Sequence, residues 1–264
     1  MGRRVWEAPA FGFRGGRVHH AILDALAHAR MLLWRAQRVV GGARSAPLDG
    51  LEDRFRRIHA KVRCAHSLAE SLYIMDMVLA HAQVPGAIVE CGVFKGGMTA
   101  KLSLLARRLD RRLFAYDSYE GLPDPSAYGT GEQVPTYARK LESGDSYRGG
   151  LPEVRANLAA HGDLARCVLV KGWFEESFAR GDVDPDPIAF AFVDVDLSRS
   201  LRQCLQFIVP RLAPGSILFC HEARDPEIVA EIRAEGLLDL EHRGVGTGLG
   251  EDMPNLCWIR KRAT

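Results

Sequence analysis

The sequence predicts an α/β fold built on one open, mostly parallel sheet, and three observations carry that prediction. The first is a strand–turn–helix–strand–acid unit. An apolar run from Ala87 to Val93 enters the glycine-rich turn Gly92-Val93-Phe94-Lys95-Gly96-Gly97; a helical pattern follows from Met98 to Leu109, and a second strand, Arg112 to Tyr116, runs into Asp117. The second is continued alternation of strand and helix patterns along the rest of the chain, as a parallel sheet requires. The third is that the last two strands are joined without a helix, so the final one closes the sheet antiparallel. Together these describe a Rossmann-like, seven-stranded, mostly parallel sheet with an antiparallel last strand, preceded by N-terminal helices.

Taken in order, residues 1–16 form a glycine-containing lead, and Arg17 to Val40 has helical spacing, with Val18, Ile22, Leu26, Ala29 and Leu33 on one stripe. Arg30, Arg35 and Arg38 make this helix basic, which suits packing on the domain or a partner subunit, or contact with a membrane surface. Gly41 to Gly50 reads as a linker, and helices are expected at Leu51 to Val62 and Ser67 to Ala82. We divide the chain into an N-terminal helical extension, 1–83, and a sheet domain, 84–264. After the first two strands, residues 120–150 are rich in Gly, Pro, Ser and Tyr and too long for an ordinary connection, which marks a lid or binding loop. A helix at Leu151 to His161 leads to strand three, Cys167 to Lys171. Strand four, Ile188 to Val195, is apolar throughout, as a strand buried on both faces should be. A helix from Ser200 to Leu212 passes through Pro214-Gly215 into strand five, Ser216 to Cys220; Asp225 caps a helix to Glu235, and strands six and seven are Leu238 to Arg243 and Asn255 to Arg260.

Composition narrows the function. With 264 residues, 47% hydrophobic, the chain can bury a large core, and a net charge of +2 gives no overall footprint for nucleic acid or membrane. The charge is uneven, +5 over residues 1–50 and −3 over the remainder, so the basic N-terminal helix could serve a contact between copies in a homo-oligomer. Six scattered cysteines with no C-x-x-C pair, and no apolar run of signal or transmembrane type, point to a reducing, cytoplasmic setting.

The turn after strand one discriminates between ligands. A dinucleotide fingerprint reads G-x-G-x-x-G and sets a pyrophosphate on the helix N-terminus. Here the spacing is Gly92-x-x-x-Gly96-Gly97 with Glu90 just before it, and no G-K-[ST] follows. A carboxylate there repels a pyrophosphate and suits the amino and sulfonium groups of S-adenosyl-L-methionine. The glycines would let backbone N–H groups approach the ligand, since no Cβ intervenes; the alternative is a tight turn with no ligand. Asp117 would accept from ribose hydroxyls, with Ser118 beside it, and Trp173 would either lie on the adenine or belong to the core. At the end of strand four stand Asp194 and Asp196, and at the end of strand five His221 and Glu222. Asp196, His221 and Glu222 form a candidate divalent-metal set: the oxygens suit Mg²⁺, and the imidazole widens the choice to Mn²⁺, Fe²⁺ or Zn²⁺. Such a metal would lower the pKa of an acceptor hydroxyl, with Asp196 as general base. Against this, Asp196 could cap the following helix, and His221 and Glu222 point to opposite faces if the strand continues.

The segments Val89 to Gly97, Asp117-Ser118-Tyr119-Glu120-Gly121-Leu122-Pro123, Gly172-Trp173-Phe174 and Val193 to Leu197 resemble the macrocin O-methyltransferase family over roughly residues 60–225, the Asp117 to Pro123 run being the most specific. The resemblance implies a class I methyltransferase fold, S-adenosylmethionine as donor, and Mg²⁺-dependent methylation of a sugar hydroxyl on an antibiotic or similar metabolite. It places the family's metal and base aspartate on Asp196. The family's adjacent aspartate pair falls on His221-Glu222, and its tyrosine after the strand-four motif falls on Ser198; both are departures.

The expected activity is therefore O-methylation of a small hydroxylated natural product. Glu90, Gly92, Gly96, Gly97, Asp117, Ser118, Trp173 and Asp194 would hold the cofactor; Asp196 and His221 would be catalytic, and Asp196, His221 and Glu222 metal-binding. Two other readings stay open: a metal-independent methyltransferase with His221 as base, and a non-catalytic binding protein that keeps the fold. A nicotinamide dehydrogenase fits less well, because its sheet would end in a parallel strand.

Overall fold

A computed structural model describes residues 50–123, 147–221, 223, 225–243 and 256–262, with the single positions 25, 29 and 32, which are helical. Glu222, most of the 120–150 loop and most of the expected 17–40 helix lie outside the described residues.

The sheet has seven strands: β1 (Ala87–Cys91), β2 (Leu113–Asp117), β3 (Cys167–Lys171), β4 (Ile188–Val193), β5 (Leu212–Cys220), β6 (Glu241–Arg243) and β7 (Cys257–Arg260). Their order is β3-β2-β1-β4-β5-β7-β6, with β1 to β5 parallel and β7 antiparallel to both its neighbours. This is the architecture expected from sequence, including the closing hairpin. The order reverses between β1 and β4, so a crevice opens at their carboxyl ends, where open α/β sheets bind ligands.

Period-two alternation sorts the strand side chains into two cores. Ile88, Phe190, Phe192, Ile217 and Phe219 face one layer, with helices α1 (Leu51–Lys61), α2 (Leu68–Ala80), α3 (Gly97–Arg108) and α4 (Leu151–His161). Val89, Cys91, Ala191, Val193 and Leu218 face the other, with α5 (Phe174–Arg180), α6 (Ser198–Ile208) and α7 (Pro226–Ala234). Phe55 on α1 and Leu72 and Met75 on α2 lie in the same core as β1, β4 and β5. Trp258 Nε1 on β7 donates to Tyr73 Oη on α2 at 2.9 Å, a further tie between that helix and the sheet.

Several bounds differ from the sequence reading. Strands one and four stop at Cys91 and Val193; after the first, Gly92 turns the chain at φ +86. Strand five begins at Leu212, not Ser216; a register shift against β4 between Ile188 and Phe190 absorbs Pro214-Gly215. Strand six is shortened by a 3₁₀ turn at Leu237–Asp239. Helix α5 was not anticipated, although Glu175 and Glu176 in its first turn and left-handed Gly181 after its last are ordinary boundary signals. No helix among the described residues is long and apolar enough to cross a membrane.

Candidate active site

The carboxyl ends of β1, β2 and β4, with the turn after β3, enclose a cavity of about 650 Å³. The sheet places one acid on it from each of three strands: Glu90 from β1, Asp117 from β2 and Asp194 just beyond β4. Three non-glycine residues near these ends have left-handed backbone, Phe94 (φ 50), Tyr119 (φ 57) and Asp196 (φ 58), and Phe94 and Asp196 line the cavity. Such conformations cost about 1–3 kcal/mol each and gather where function demands them.

Glu90 is fully buried on the same face of β1 as Ile88, yet neither carboxylate oxygen has a hydrogen-bond partner among the described residues, and the neighbouring Thr99 hydroxyl has none either. Burial pushes its carboxyl well above the usual range. The Thr99 hydroxyl works the other way, while the charges of Asp117 and Asp194 add to the rise. Buried polar groups are almost always satisfied, so this carboxylate calls for a donor beyond the described residues. Asp117 is differently placed. Its Oδ2 accepts from the Val93 N–H at 2.6 Å and the Phe94 N–H at 3.3 Å, and its Oδ1 accepts from the Tyr119 N–H at 2.6 Å. Burial still raises its pKa, outweighing these bonds. Asp117 thus clamps the glycine turn onto the end of β2 while lining the cavity. The Ser118 hydroxyl donates to the Gly121 carbonyl at 3.0 Å and accepts from the Glu120 N–H at 3.1 Å, holding the start of the next loop.

The glycines act through the chain itself. A Cβ on Gly92 would lie 1.9 Å from the Asp194 carbonyl oxygen, and one on Gly97 2.2 Å from Cys64 Sγ. The sequence reading assigned their bareness to the ligand; the structure assigns it to the close approach of β4 and of the segment before α2. Gly96 starts α3 in left-handed conformation and is not among the residues lining the cavity.

A second polar group sits on the β4 side. Ser67 and Glu70 form a capping box at the start of α2: the Ser67 N–H and hydroxyl donate to Glu70 Oε2 at 2.8 and 2.9 Å, and Ser67 Oγ accepts from the Glu70 N–H at 3.1 Å. This fixes Glu70 with Oε1 3.7 Å from His221 Nε2, while His221 Nδ1 lies 3.3 Å from Asp194 Oδ1. Burial alone would raise Glu70; the attraction of His221 close by, with the hydrogen bond from the Ser67 N–H, overcomes that and holds it at about 2. His66, directly before the capping box, packs edge-on against Phe192 with ring centroids 5.5 Å apart, and its Nδ1 is 4.0 Å from Asp194 Oδ2. Burial and the charge of Lys101 push the His66 ring down to about 3, so it is neutral. Lys101 is itself buried and donates to Ser71 Oγ at 2.8 Å.

The cavity therefore gathers Glu90, Gly92, Gly97, Asp117, Ser118, Trp173, Asp194 and Asp196. His221 is not among the described residues that line the cavity; it stands beside Asp194, its ring between that carboxylate and Glu70. Of the expected metal set, Asp196 lines the cavity, His221 stands between Glu70 and Asp194, and Glu222 lies outside the described residues. Among the described residues no three His, Cys, Asp or Glu side chains are grouped to hold a cation, and both nitrogens of His221 face acids of the chain. Sequence reasoning missed His66 and Glu70. The Ser67-x-x-Glu70 spacing signals a capped helix, but nothing in it signals a site.

Comparison with known proteins agrees with this fold. The family model described as Macrocin-O-methyltransferase (TylF) matches residues 58–232. The 8-demethyl-8-(2,3-dimethoxy-alpha-L-rhamnosyl)-tetracenomycin-C 4′-O-methyltransferase of Streptomyces olivaceus is 31% identical over 150 residues, 55% of this chain and 56% of that protein. The demethyldecarbamoylnovobiocin O-methyltransferase of Streptomyces niveus is 25% identical over 177 residues, 61% of this chain and 65% of that one. The match thus spans less than two thirds of either relative. Among solved structures, the O-methyltransferase NovP is similar in fold, with a TM-score of 0.58 at 21% identity over 80% of this chain and 79% of that one. With the family model covering residues 58–232, strands β1 to β5 and the cavity at their ends included, the chain belongs to the macrocin O-methyltransferase family.

Proposed function

We propose that this protein transfers a methyl group from S-adenosylmethionine to a hydroxyl, on the sugar of a small glycosylated secondary metabolite. The observation that carries the reading is the buried Glu90 carboxylate, without a hydrogen-bond partner among the described residues, beside Asp117 in one cavity. A cationic amino acid end would satisfy Glu90, and ribose hydroxyls would meet the remaining lone pairs of Asp117. Trp173 offers a face for adenine. S-adenosylmethionine supplies an electrophilic methyl on a sulfonium. The chain's part is to hold the donor at β1 and β2, hold the acceptor near Asp194 and Asp196, and keep water out.

The sugar preference rests on the rhamnosyl substrate printed for the Streptomyces olivaceus relative and on the family itself. Six free cysteines, four of them buried, suit the reducing cytoplasm we assign to it. The test is to incubate the protein with S-adenosylmethionine and a panel of rhamnosides, free and aglycone-linked, and to follow products by mass. A gain of one methyl with release of S-adenosylhomocysteine is expected. Binding of S-adenosylhomocysteine without transfer to any acceptor would favour the non-catalytic reading, and absence of binding would end the proposal.

A further inference from the structure

One wall of the cavity is not used by the donor. Phe94 and Tyr147 both line it, their ring centroids 6.4 Å apart at 53°, and the exposed Arg63 holds its guanidinium carbon 5.7 Å from the centre of the Phe94 ring. Phe94 has left-handed backbone at φ 50, which disfavours a side chain; Gly92 and Gly96 on either side adopt that region freely, at φ 86 and 80. A bulky ring kept where glycine would sit at ease is an outlier of the kind that gathers at ligand sites. The turn that carries the ring is pinned from behind. The Asn157 amide on α4 donates to the Lys95 carbonyl at 2.9 Å, and Lys95 Nζ reaches Glu153 on the same helix at 2.8 Å. A Cβ on Gly149 would lie 1.8 Å from the Phe94 carbonyl oxygen, so the chain before α4 lies directly on the turn. Trp173, the aromatic assigned to adenine, follows β3, and β2 separates that strand from β1; the two turns leave the sheet roughly 10 Å apart, two strand spacings.

Resting on the methyl-transfer reading, we propose that Phe94, Tyr147 and Arg63 form the binding wall for the sugar ring of the acceptor, with Phe94 as its main specificity-determining residue. A sugar ring presents a face of C–H bonds and an edge of hydroxyls. The C–H face lies on the Phe94 ring, flanked by Tyr147, as apolar surface does on an aromatic face. A guanidinium stacked over a ring keeps its in-plane N–H donors for hydrogen bonds, and those of Arg63 meet the hydroxyl edge. The wall also sets the sugar beside the donor: the Phe94 N–H donates to Asp117 Oδ2 at 3.3 Å, the carboxylate assigned to the donor's ribose.

The test uses the full chain and the variants Phe94→Gly, Phe94→Trp and Arg63→Met, with two glycosides that the wild type methylates and that share the sugar but differ in aglycone. Glycine relieves the left-handed backbone, so Phe94→Gly should melt no lower than the wild type. Calorimetry should show its S-adenosylhomocysteine affinity within about threefold, while the S-adenosylhomocysteine-loaded variant binds both glycosides about tenfold more weakly, and the loss in turnover should fall on KM rather than kcat. Phe94→Trp, which keeps an aromatic face, should restore the KM, and Arg63→Met should weaken both glycosides about threefold or more. Unchanged glycoside affinity in Phe94→Gly, whatever its melting temperature, overturns the wall. So does an equal loss of S-adenosylhomocysteine affinity, which would lay the ring on the donor, and so does a loss confined to one glycoside, which would lay it on the aglycone. In each of these cases the wild type still methylates a sugar and the reading beneath stands. A wild type that methylates no glycoside overturns both.

Discussion

Replacing Glu90 by leucine should make the ligand-free protein more stable and its cofactor binding weaker, two effects of opposite sign from one carboxylate. Glu90 is fully buried with both oxygens unpartnered. Such an orphan costs about 1–3 kcal/mol, and a leucine of similar size leaves nothing unsatisfied. The expected gain is therefore about 1–3 kcal/mol, seen as a rise in Tm of roughly 2–4 °C per kcal/mol for a chain of this size. The gain should depend on pH. Burial raises the folded pKa of Glu90 above its ordinary value of 4.5, so the folded state binds this proton more tightly. That contribution is complete below the ordinary value and is lost as pH rises through the raised one. Glu90→Leu lacks it, so its advantage over the wild type should be larger at a pH well above 4.5 than at one below it. On the binding side, a charged group hydrogen-bonded to a ligand is worth about 1.5–3 kcal/mol, so S-adenosylhomocysteine should bind roughly 10- to 100-fold more weakly. The wild type should also release a proton on binding, as the ammonium draws Glu90 into its ionised form, and the variant should not. Thermal melts at the two pH values and calorimetry in buffers of different ionisation enthalpy read all three effects. A variant that melts lower than wild type and binds S-adenosylhomocysteine as tightly would refute the reasoning.

Asp117→Ala should weaken S-adenosylhomocysteine binding by about tenfold or more, because it removes a charged acceptor on the cavity and frees the Val93 and Tyr119 N–H groups it holds at 2.6 Å; equal affinity by calorimetry would count against the ribose assignment. Asp196→Asn should lower turnover about tenfold or more with S-adenosylhomocysteine affinity within about threefold, if Asp196, on the cavity wall, serves the acceptor as proposed; matched losses in both would place it with the donor instead. Gly92→Ala should cost about 2–5 kcal/mol, combining a left-handed backbone at φ +86 with a Cβ 1.9 Å from the Asp194 carbonyl, and denaturant titration should show a lower midpoint at unchanged slope.

The alternation of strand and helix, the parallel order and the closing hairpin were all legible, because each follows from local periodicity and from turn residues. So were Glu90, Asp117, Trp173, Asp194 and Asp196. These residues lie at or just past the carboxyl ends of strands flanking the point where the strand order reverses, where the crevice opens. What adjoins each of them was not legible. His221 reads as a site residue because it ends strand five, yet the ring turns behind Asp194 into the grip of Glu70. Glu70 and His66 come from a helix start far away in sequence, and only packing α2 against β4 and β5 brings them there.

The chain's own sequence determined the scaffold and the ring of acids at its open end, since hydrophobic period and turn chemistry act over a few residues. Tertiary structure alone decided which acid is left without a partner, which histidine faces the cavity, and that Gly92 and Gly97 are bare for the sake of neighbouring chain. Those outcomes depend on contacts between segments that share no local pattern, and on burial, which sets both the cost of an unmet hydrogen bond and the charge a side chain keeps.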